Sequence, residues 1–120
     1  MIDSMTPEGR TAVASGRDTK NAVTLLNSFT VPNGRDEVFE QMWTEASMYF
    51  RAQPGFVSLR LHRAVTPDAP YRWVNVAVWE SEDDYLAAHA TDEFRRLVTQ
   101  EGWTEFPNVP VLYEVVTAVG

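Results

Sequence analysis

The sequence of 120 residues contains no cysteine. This absence excludes disulfides, thiolate metal sites, iron–sulfur clusters and cysteine nucleophiles. Histidine is nearly absent too, since only His62 and His89 are present, and a multi-histidine metal centre is therefore not predicted. We expect a site that holds no metal ion.

Positive charge and long apolar runs are also scarce. The chain has 10 Lys and Arg residues against 17 Asp and Glu, a net charge of −7, and Lys20 is its single lysine. Without a basic stripe it is not expected to bind nucleic acid. No run approaches the roughly 18 apolar residues of a membrane span, and the first residues lack a signal-peptide pattern. We therefore predict a cytoplasmic protein without a membrane partner.

The sequence does contain enough apolar material for one hydrophobic core. With 44% hydrophobic and 12% aromatic residues, a chain of this length is predicted to form a single domain. Residues 1–20 are rich in Ser, Thr, Gly and Asp and lack apolar periodicity, which predicts a flexible extension. Residues 21–120 are predicted to form the domain.

Apolar periodicity and turn residues divide that domain into alternating strands and helices. Strands are predicted at 23–31, 56–64, 71–79 and 111–118, and helices at 35–52 and 81–98, the last with an interruption at Thr91 and Asp92. This βαββαβ order predicts an α+β, ferredoxin-like fold with an antiparallel sheet and helices on one face. The second and third strands are expected to form an antiparallel hairpin.

The predicted strands carry apolar residues on both faces. By simple alternation Leu59 and Leu61 face away from Phe56, and Val76 faces away from Trp79. Since helices cover only one face of the sheet, a second subunit is expected to cover the other. We predict a homodimer whose two sheets pack face to face.

The most informative segment is the third strand and the helix start that follows it. Alternation places Asn75 and Trp79 on the same face as Trp73, so an amide and an indole N–H enter an otherwise apolar surface. Buried polar groups need hydrogen-bond partners. This face is suited either to grip an oxygen-bearing aromatic molecule or simply to satisfy its own polar groups.

Three segments resemble the antibiotic biosynthesis monooxygenase family. They are Leu-Asn-Ser-Phe-Thr-Val at 26–31, Gln-Pro-Gly-Phe-Val at 53–57 and Val-Asn-Val-Ala-Val-Trp-Glu-Ser at 74–81. Within the family, residues 21–118 are most similar to the cofactor-independent anthrone monooxygenases of aromatic polyketide biosynthesis. The resemblance implies a dimeric α/β barrel of ferredoxin-like subunits that uses no cofactor.

The same resemblance implies the residues of the active site. In these enzymes an Asn on the first strand and an Asn and a Trp on the third are tied to chemistry, and they correspond here to Asn27, Asn75 and Trp79. A Tyr six residues after the Trp corresponds to Tyr85. An Arg on the following helix corresponds to Arg95, with a different intervening spacing. The resemblance implies that Tyr85 and Arg95 bind the substrate.

The implied reaction needs no metal, flavin or haem. An anthrone loses a proton beside its carbonyl to give an enolate that itself transfers an electron to O₂, and the resulting hydroperoxide loses water to give a quinone. The protein supplies a dry pocket, orientation and hydrogen-bond donors for the oxyanion. His62, His89 or water could accept the proton. His89 lies one helical turn after Tyr85 and is also a candidate wall of the substrate pocket.

Three other functions remain open on the sequence. A haem-degrading oxygenase of the same superfamily shares the strand-one Asn, but Ala88 and Val98 stand where that branch has its Trp and its ligand His. A dimeric barrel could also bind or sense a small apolar metabolite without catalysis. The third alternative is a cyclisation or rearrangement of a related polyketide with no net oxidation.

The candidate residues also have ordinary structural explanations. A strand Asn such as Asn75 can bond a neighbouring backbone group. Trp43, Trp73 and Trp103 are expected to pack in the core or at the dimer interface. His62, between two arginines on a strand, is expected to be exposed or hydrogen-bonded.

Overall fold

A computed structural model of the chain describes residues 21–100 and 102–120. In chain order the elements are β1 Val23–Phe29, α1 Asp36–Arg51, β2 Phe56–Arg63, β3 Trp73–Trp79, α2 Glu82–Ala88, α3 Asp92–Val98, a 3₁₀ turn Trp103–Glu105, and β4 Asn108–Tyr113. The extension predicted for residues 1–20 lies outside the described residues.

The four strands form one antiparallel sheet in the order β2-β3-β1-β4. The predicted hairpin of β2 and β3 is present, and β1 lies between β3 and β4. In the central pair Asn27 lies directly opposite Asn75, and Leu25 lies opposite Ala77. The predicted ferredoxin-like α+β fold is confirmed.

The core lies between the helices and one face of this sheet. Helix α1 is amphipathic, and its apolar stripe at three- and four-residue steps is buried. Phe39 is fully buried and its ring packs against Phe29, Trp73 and Phe106 at centroid distances of 4.9, 5.3 and 5.2 Å. Trp43 belongs to the same cluster, while Trp103 packs against it partly buried. The expected core packing is observed for these tryptophans, although Trp43 and Trp103 also line the cavity described below.

Two short helices replace the second helical region, as the interruption at Thr91 predicted. The Ser81 hydroxyl accepts from the Asp84 amide at 3.0 Å and donates to its carboxylate at 2.9 Å, so the predicted cap opens α2. The Thr91 hydroxyl caps α3 by accepting from the Phe94 amide. These caps fix the starts of the two helices that border the candidate site.

The turn before β2 brings the chain against the start of α2. Gly55 has φ +82°, and a Cβ there would lie 2.3 Å from the Asp84 side chain. Its carbonyl accepts from the Glu80 amide at 2.8 Å. Glycine is therefore required both by the backbone conformation and by the close approach.

The predicted facing of β2 is wrong at its first residue. The pairing of β2 with β3 shifts between Phe56 and Ser58, so Phe56 lies opposite Trp79 and Leu59 opposite Ala77. This irregularity inserts one residue, which returns the alternation to the same face. Phe56 and Leu59 consequently pack together on the helix side of the sheet, and not on opposite faces.

The last strand begins three residues earlier than predicted and ends earlier, at Tyr113. The Thr30 amide donates to the Pro107 carbonyl at 2.9 Å, and pairing with β1 continues directly from there. Pro110 is tolerated because β4 is an edge strand. Val116, which was assigned to this strand, is 84% exposed beyond it.

The second face of the sheet carries no helix from the described residues. Its partly exposed apolar side chains are Leu26, Val109, Val111 and Tyr113, joined by the half-buried Val74, Val76 and Val78 of β3. None of the described helices is both long and apolar enough to cross a membrane.

Candidate active site

A cavity of about 340 Å³ lies between the helix-side face of the sheet and the helices. Every strand and each of the three α-helices contributes to its lining. The predicted site residues that line it are Asn27, Asn75, Trp79, Tyr85 and His89. Residues far apart in the sequence are therefore brought to one cavity.

Two amides lie side by side in the floor of this cavity. Asn27 on β1 and Asn75 on β3 are register partners. Asn75 is 6% exposed and is the one buried polar residue of the described chain. Neither Oδ1 atom has a hydrogen-bond partner among the described residues. The ordinary explanation of Asn75, a bond to a neighbouring backbone group, thus fails for this oxygen.

Trp79 ends β3 within a cage of aromatic rings. Its side chain is 1% exposed. Phe50, Phe56, Tyr85 and His89 surround the indole in edge-on arrangements, at centroid distances of 6.4, 5.6, 6.2 and 6.2 Å. The indole Nε1 has no acceptor within the described part of the chain. The surrounding rings hold the indole in place, and its N–H has no hydrogen-bond partner among the described residues.

Three unpartnered polar atoms on one wall call for a physical reason. Leaving a buried polar group unsatisfied costs about 1–3 kcal/mol, and more than about 90% of such groups in folded proteins are paired. Asn27, Asn75 and Trp79 all line the same cavity. A ligand with hydroxyl groups and a carbonyl oxygen would satisfy them together, because the hydroxyls can donate to the two amide oxygens and the carbonyl can accept from the indole N–H.

His89 and Tyr85 form the neighbouring wall. The His89 Nδ1 lies 2.7 Å from the Tyr85 carbonyl oxygen, and its ring stacks on Phe50 at 5.3 Å. Burial lowers the pKa of His89 below its ordinary 6.5, and the bond to the Tyr85 carbonyl opposes that shift. Burial raises the pKa of Tyr85, so its hydroxyl remains a donor at neutral pH.

Two residues considered from the sequence lie elsewhere. Arg95 is exposed on α3, pairs with Asp92 one turn away and does not line the cavity. The substrate-binding role implied for it is therefore not supported, because its position on the helix turns it to the surface. His62 is exposed on β2, with Nδ1 3.1 Å from the Arg60 carbonyl oxygen.

Sequence reasoning missed the aromatic walls. Phe50, Phe56, Phe94, Trp103 and Phe106 line the cavity. Their helical or strand spacing predicts only that they face inward, because a filled core and a cavity wall have the same periodicity. The close spacing of so many aromatic residues was the one available signal.

Neither candidate position for haem binding carries a suitable side chain. Ala88 is buried beside the Tyr49 hydroxyl, which donates to its carbonyl, and Val98 lines the cavity with an aliphatic side chain. Within residues 21–100 and 102–120, no three imidazole or carboxylate groups lie close enough together to hold a metal ion.

Comparisons with known proteins identify the family of this chain. The family model for antibiotic biosynthesis monooxygenases matches residues 22–100. The chain is 38% identical over 93 residues to deoxynogalonate monooxygenase of Streptomyces nogalater, covering 78% of this chain and 68% of the relative.

Solved structures have the same fold. SnoaB, a cofactor-independent oxygenase from Streptomyces nogalater, superimposes with a TM-score of 0.70 at 29% identity, over 82% of this chain and 97% of SnoaB. A heme-degrading protein from Mycobacterium tuberculosis matches with a TM-score of 0.62 at 23% identity, over 82% and 99% of the two chains. The second likeness concerns the fold alone.

The family match and the named relative confirm the monooxygenase predicted from the sequence. The family match ends at residue 100, while β4 completes the sheet beyond it. This chain belongs to the antibiotic biosynthesis monooxygenase family and is a monooxygenase with a ferredoxin-like fold.

Proposed function

We propose that this chain is a cofactor-independent oxygenase that oxidises an anthrone-type aromatic polyketide intermediate to a quinone with O₂. The observation that carries the proposal is the set of unpartnered polar atoms of Asn27, Asn75 and Trp79 on one wall of an aromatic-lined cavity. The names of deoxynogalonate monooxygenase and of SnoaB, a cofactor-independent oxygenase, support the same reaction class.

The geometry suits a flat substrate that carries a carbonyl oxygen and ring hydroxyl groups, the hydroxyls donating to the amide oxygens of Asn27 and Asn75. Aromatic walls offer stacking and edge contacts to fused rings, while the amide and indole N–H groups meet the carbonyl oxygen. These donors stabilise the oxyanion that develops as the substrate loses its proton. The electron-rich enolate then transfers an electron to O₂, and recombination gives a hydroperoxide. Loss of water from this hydroperoxide yields the quinone.

Two further features belong to the proposal. The apolar face of the sheet, with Leu26, Val111 and Tyr113 exposed at 36, 41 and 51%, supports a homodimer in which two sheets pack face to face. We also propose residues 21–120 as the domain and the cytoplasm as its location.

The alternatives differ from this proposal in measurable ways. A cyclisation or rearrangement of a polyketide would use the same oxyanion wall but consume no O₂. A metabolite-binding protein would bind the aromatic molecule without turnover. A haem-degrading enzyme would change the absorbance spectrum of added haem, although Ala88 and Val98 supply no ligand atom at the positions considered.

The test is O₂ uptake by the purified protein with a tricyclic anthrone such as dithranol, without added metal or cofactor and with the uncatalysed rate subtracted. We expect enzyme-dependent uptake together with quinone formation. Tight binding without uptake, across a panel of anthrones of different ring number, would contradict oxygenation and favour binding or non-oxidative chemistry.

A further inference from the structure

We propose that His89 is the general base of this enzyme, with Nε2 accepting the proton that the substrate loses from the carbon of its central ring. This inference rests on the proposed oxygenation and adds the residue that starts it. The oxyanion wall contains donors but no base, so the proton needs a separate acceptor.

The hydrogen bond of His89 determines which ring nitrogen is free. A backbone carbonyl oxygen can only accept, so the 2.7 Å contact with the Tyr85 carbonyl requires a proton on Nδ1. In the neutral ring Nε2 then carries the lone pair. The same contact holds the ring in one orientation on the cavity wall.

His89 also lies at the correct place relative to the oxyanion donors. Its ring and that of Trp79 are neighbours, with centroids 6.2 Å apart, and both line the cavity. A ring carbon and the carbonyl oxygen of one fused aromatic substrate can therefore contact both side chains at once. His62 is exposed outside the cavity lining, which removes the other histidine from consideration.

The groups packed around His89 favour a neutral resting imidazole. Phe50 of α1 stacks on it at 5.3 Å, Phe94 of α3 meets it at 4.7 Å, and Trp79 of β3 lies at 6.2 Å. The titratable neighbour on its own helical segment is Tyr85, at 4.2 Å, which stays uncharged at neutral pH. Burial consequently lowers the pKa of His89 without an opposing carboxylate.

The reaction needs no reactant other than the substrate and O₂, because His89 first accepts a proton and later returns one. The C–H bond breaks, its electron pair enters the ring system as the enolate, and the proton forms a bond to Nε2. The resulting imidazolium still donates from Nδ1 to the Tyr85 carbonyl, and the face of Phe50 stabilises its charge. After O₂ adds, the imidazolium returns a proton to the peroxide anion. Loss of the second C–H proton and cleavage of the O–O bond release water.

The test compares His89→Asn with the matched variant His62→Asn. The Asn amide at position 89 can still donate to the Tyr85 carbonyl but supplies no base. We expect kcat with dithranol to fall by about 100-fold or more at position 89, with KM little changed. His62→Asn should retain the wild-type rate. Wild-type kcat should fall as pH drops through the lowered pKa of His89, and His89→Asn should lack this acidic limb.

Anaerobic mixing separates this inference from the proposed function. Without O₂, wild-type protein should convert bound dithranol to its coloured enolate, and His89→Asn should do so about 100-fold more slowly. If the wild type is active and His89→Asn keeps the same kcat, with or without a change in KM, the role of His89 as the base is overturned while the proposed oxygenation stands. Absence of O₂ uptake by the wild type instead overturns the proposed function. If His89→Asn does not fold, the pH dependence of the wild-type kcat decides the question. A kcat that does not fall at acidic pH would overturn the role of His89 as the base.

Discussion

Strand β3 begins and ends with a buried tryptophan, and the two indole N–H groups differ in whether they have a hydrogen-bond acceptor. Trp73 is 4% exposed and Trp79 is 1% exposed, on the same face of the sheet. The Trp73 Nε1 donates to the Asp36 carboxylate at 3.2 Å. The Trp79 Nε1 has no acceptor among the described residues.

The surroundings explain this difference. At the Trp73 end, Arg72 forms paired hydrogen bonds of 3.0 and 2.8 Å with Asp36, and Phe39 fills the space beside the indole. At the Trp79 end, the sheet borders the cavity. One end of the strand therefore pairs its indole N–H within the fold, and the other leaves its indole N–H unpaired beside the cavity, as the proposed function requires.

The largest expected effect comes from removing an amide at the cavity end. Asn75→Ala should lower kcat with a competent anthrone by about 100-fold, the usual cost of losing one oxyanion donor. The free energy of unfolding should change by only about 1 kcal/mol, because the amide oxygen has no partner to lose. Steady-state O₂ uptake and urea unfolding measure the two quantities.

The matched control is Asn33→Ala, in the exposed turn after β1. It should retain the wild-type rate. A large loss of stability in Asn75→Ala without a loss of rate would show that the two ends of β3 do not differ as described.

Trp79→Phe removes the indole N–H and keeps an aromatic ring in the cage. We expect kcat to fall about tenfold, the equivalent of one hydrogen bond of about 1.4 kcal/mol. Denaturant unfolding provides the second measurement, and the midpoint should shift less than it does for Trp73→Phe. Full activity of Trp79→Phe on the true substrate would exclude the indole as an oxyanion donor.

Trp73→Phe should show the reverse pattern. The Asp36 carboxylate loses a donor and the core loses part of a ring, so the free energy of unfolding should fall by about 1 kcal/mol or more. The kcat should stay within about twofold of wild type, since a variant distant from the oxyanion loses no transition-state contact. A rate loss as large as that of Trp79→Phe would contradict the division of β3 into two functions.

The smallest expected effect is a pH dependence confined to the Trp73 end. The Arg72 guanidinium and, more weakly, the Trp73 indole lower the pKa of Asp36 below its ordinary 3.8. A carboxyl whose folded-state pKa is lowered contributes stability above its ordinary pKa and loses it as pH falls through the lowered value. The stability advantage of wild type over Asp36→Asn should therefore shrink below about pH 4.

Thermal unfolding between about pH 2 and 6 tests this expectation. Glu37→Gln, at the exposed neighbouring position in the same helical turn, is the matched control and should follow the wild-type profile. An advantage over Asp36→Asn that stays constant across this range would show that the ion pair does not stabilise the fold.

Much of the fold could be predicted because it depends on local patterns. Alternation identified the shared face of Trp73, Asn75 and Trp79, and the three-residue spacing of Ser81 and Asp84 identified a cap. The wrong predictions concern positions where the pairing between strands, and not the alternation of residues along one strand, decides the structure. The register shift after Phe56 and the early start of β4 depend on hydrogen bonds to partner strands, which a single strand does not encode visibly.

The candidate site was predictable in part. Asn27, Asn75 and Trp79 were found by resemblance, and the structure brings them to one cavity. Arg95 was misplaced because its spacing from the third strand differs, and a shift of one helical position turns a side chain from the cavity to the surface. The aromatic walls were seen only as core residues.

The sequence by itself determined the order of strands and helices, the face that most apolar residues occupy away from the register shift in β2, and the polar atoms that enter that face. These follow from periods of two and 3.6 residues, which are local properties of the chain. Only the tertiary structure decided that Asn27 lies opposite Asn75 and that Trp79 has no acceptor. It also decided that the space between sheet and helices is a cavity and not a filled core, because volume depends on how distant side chains meet.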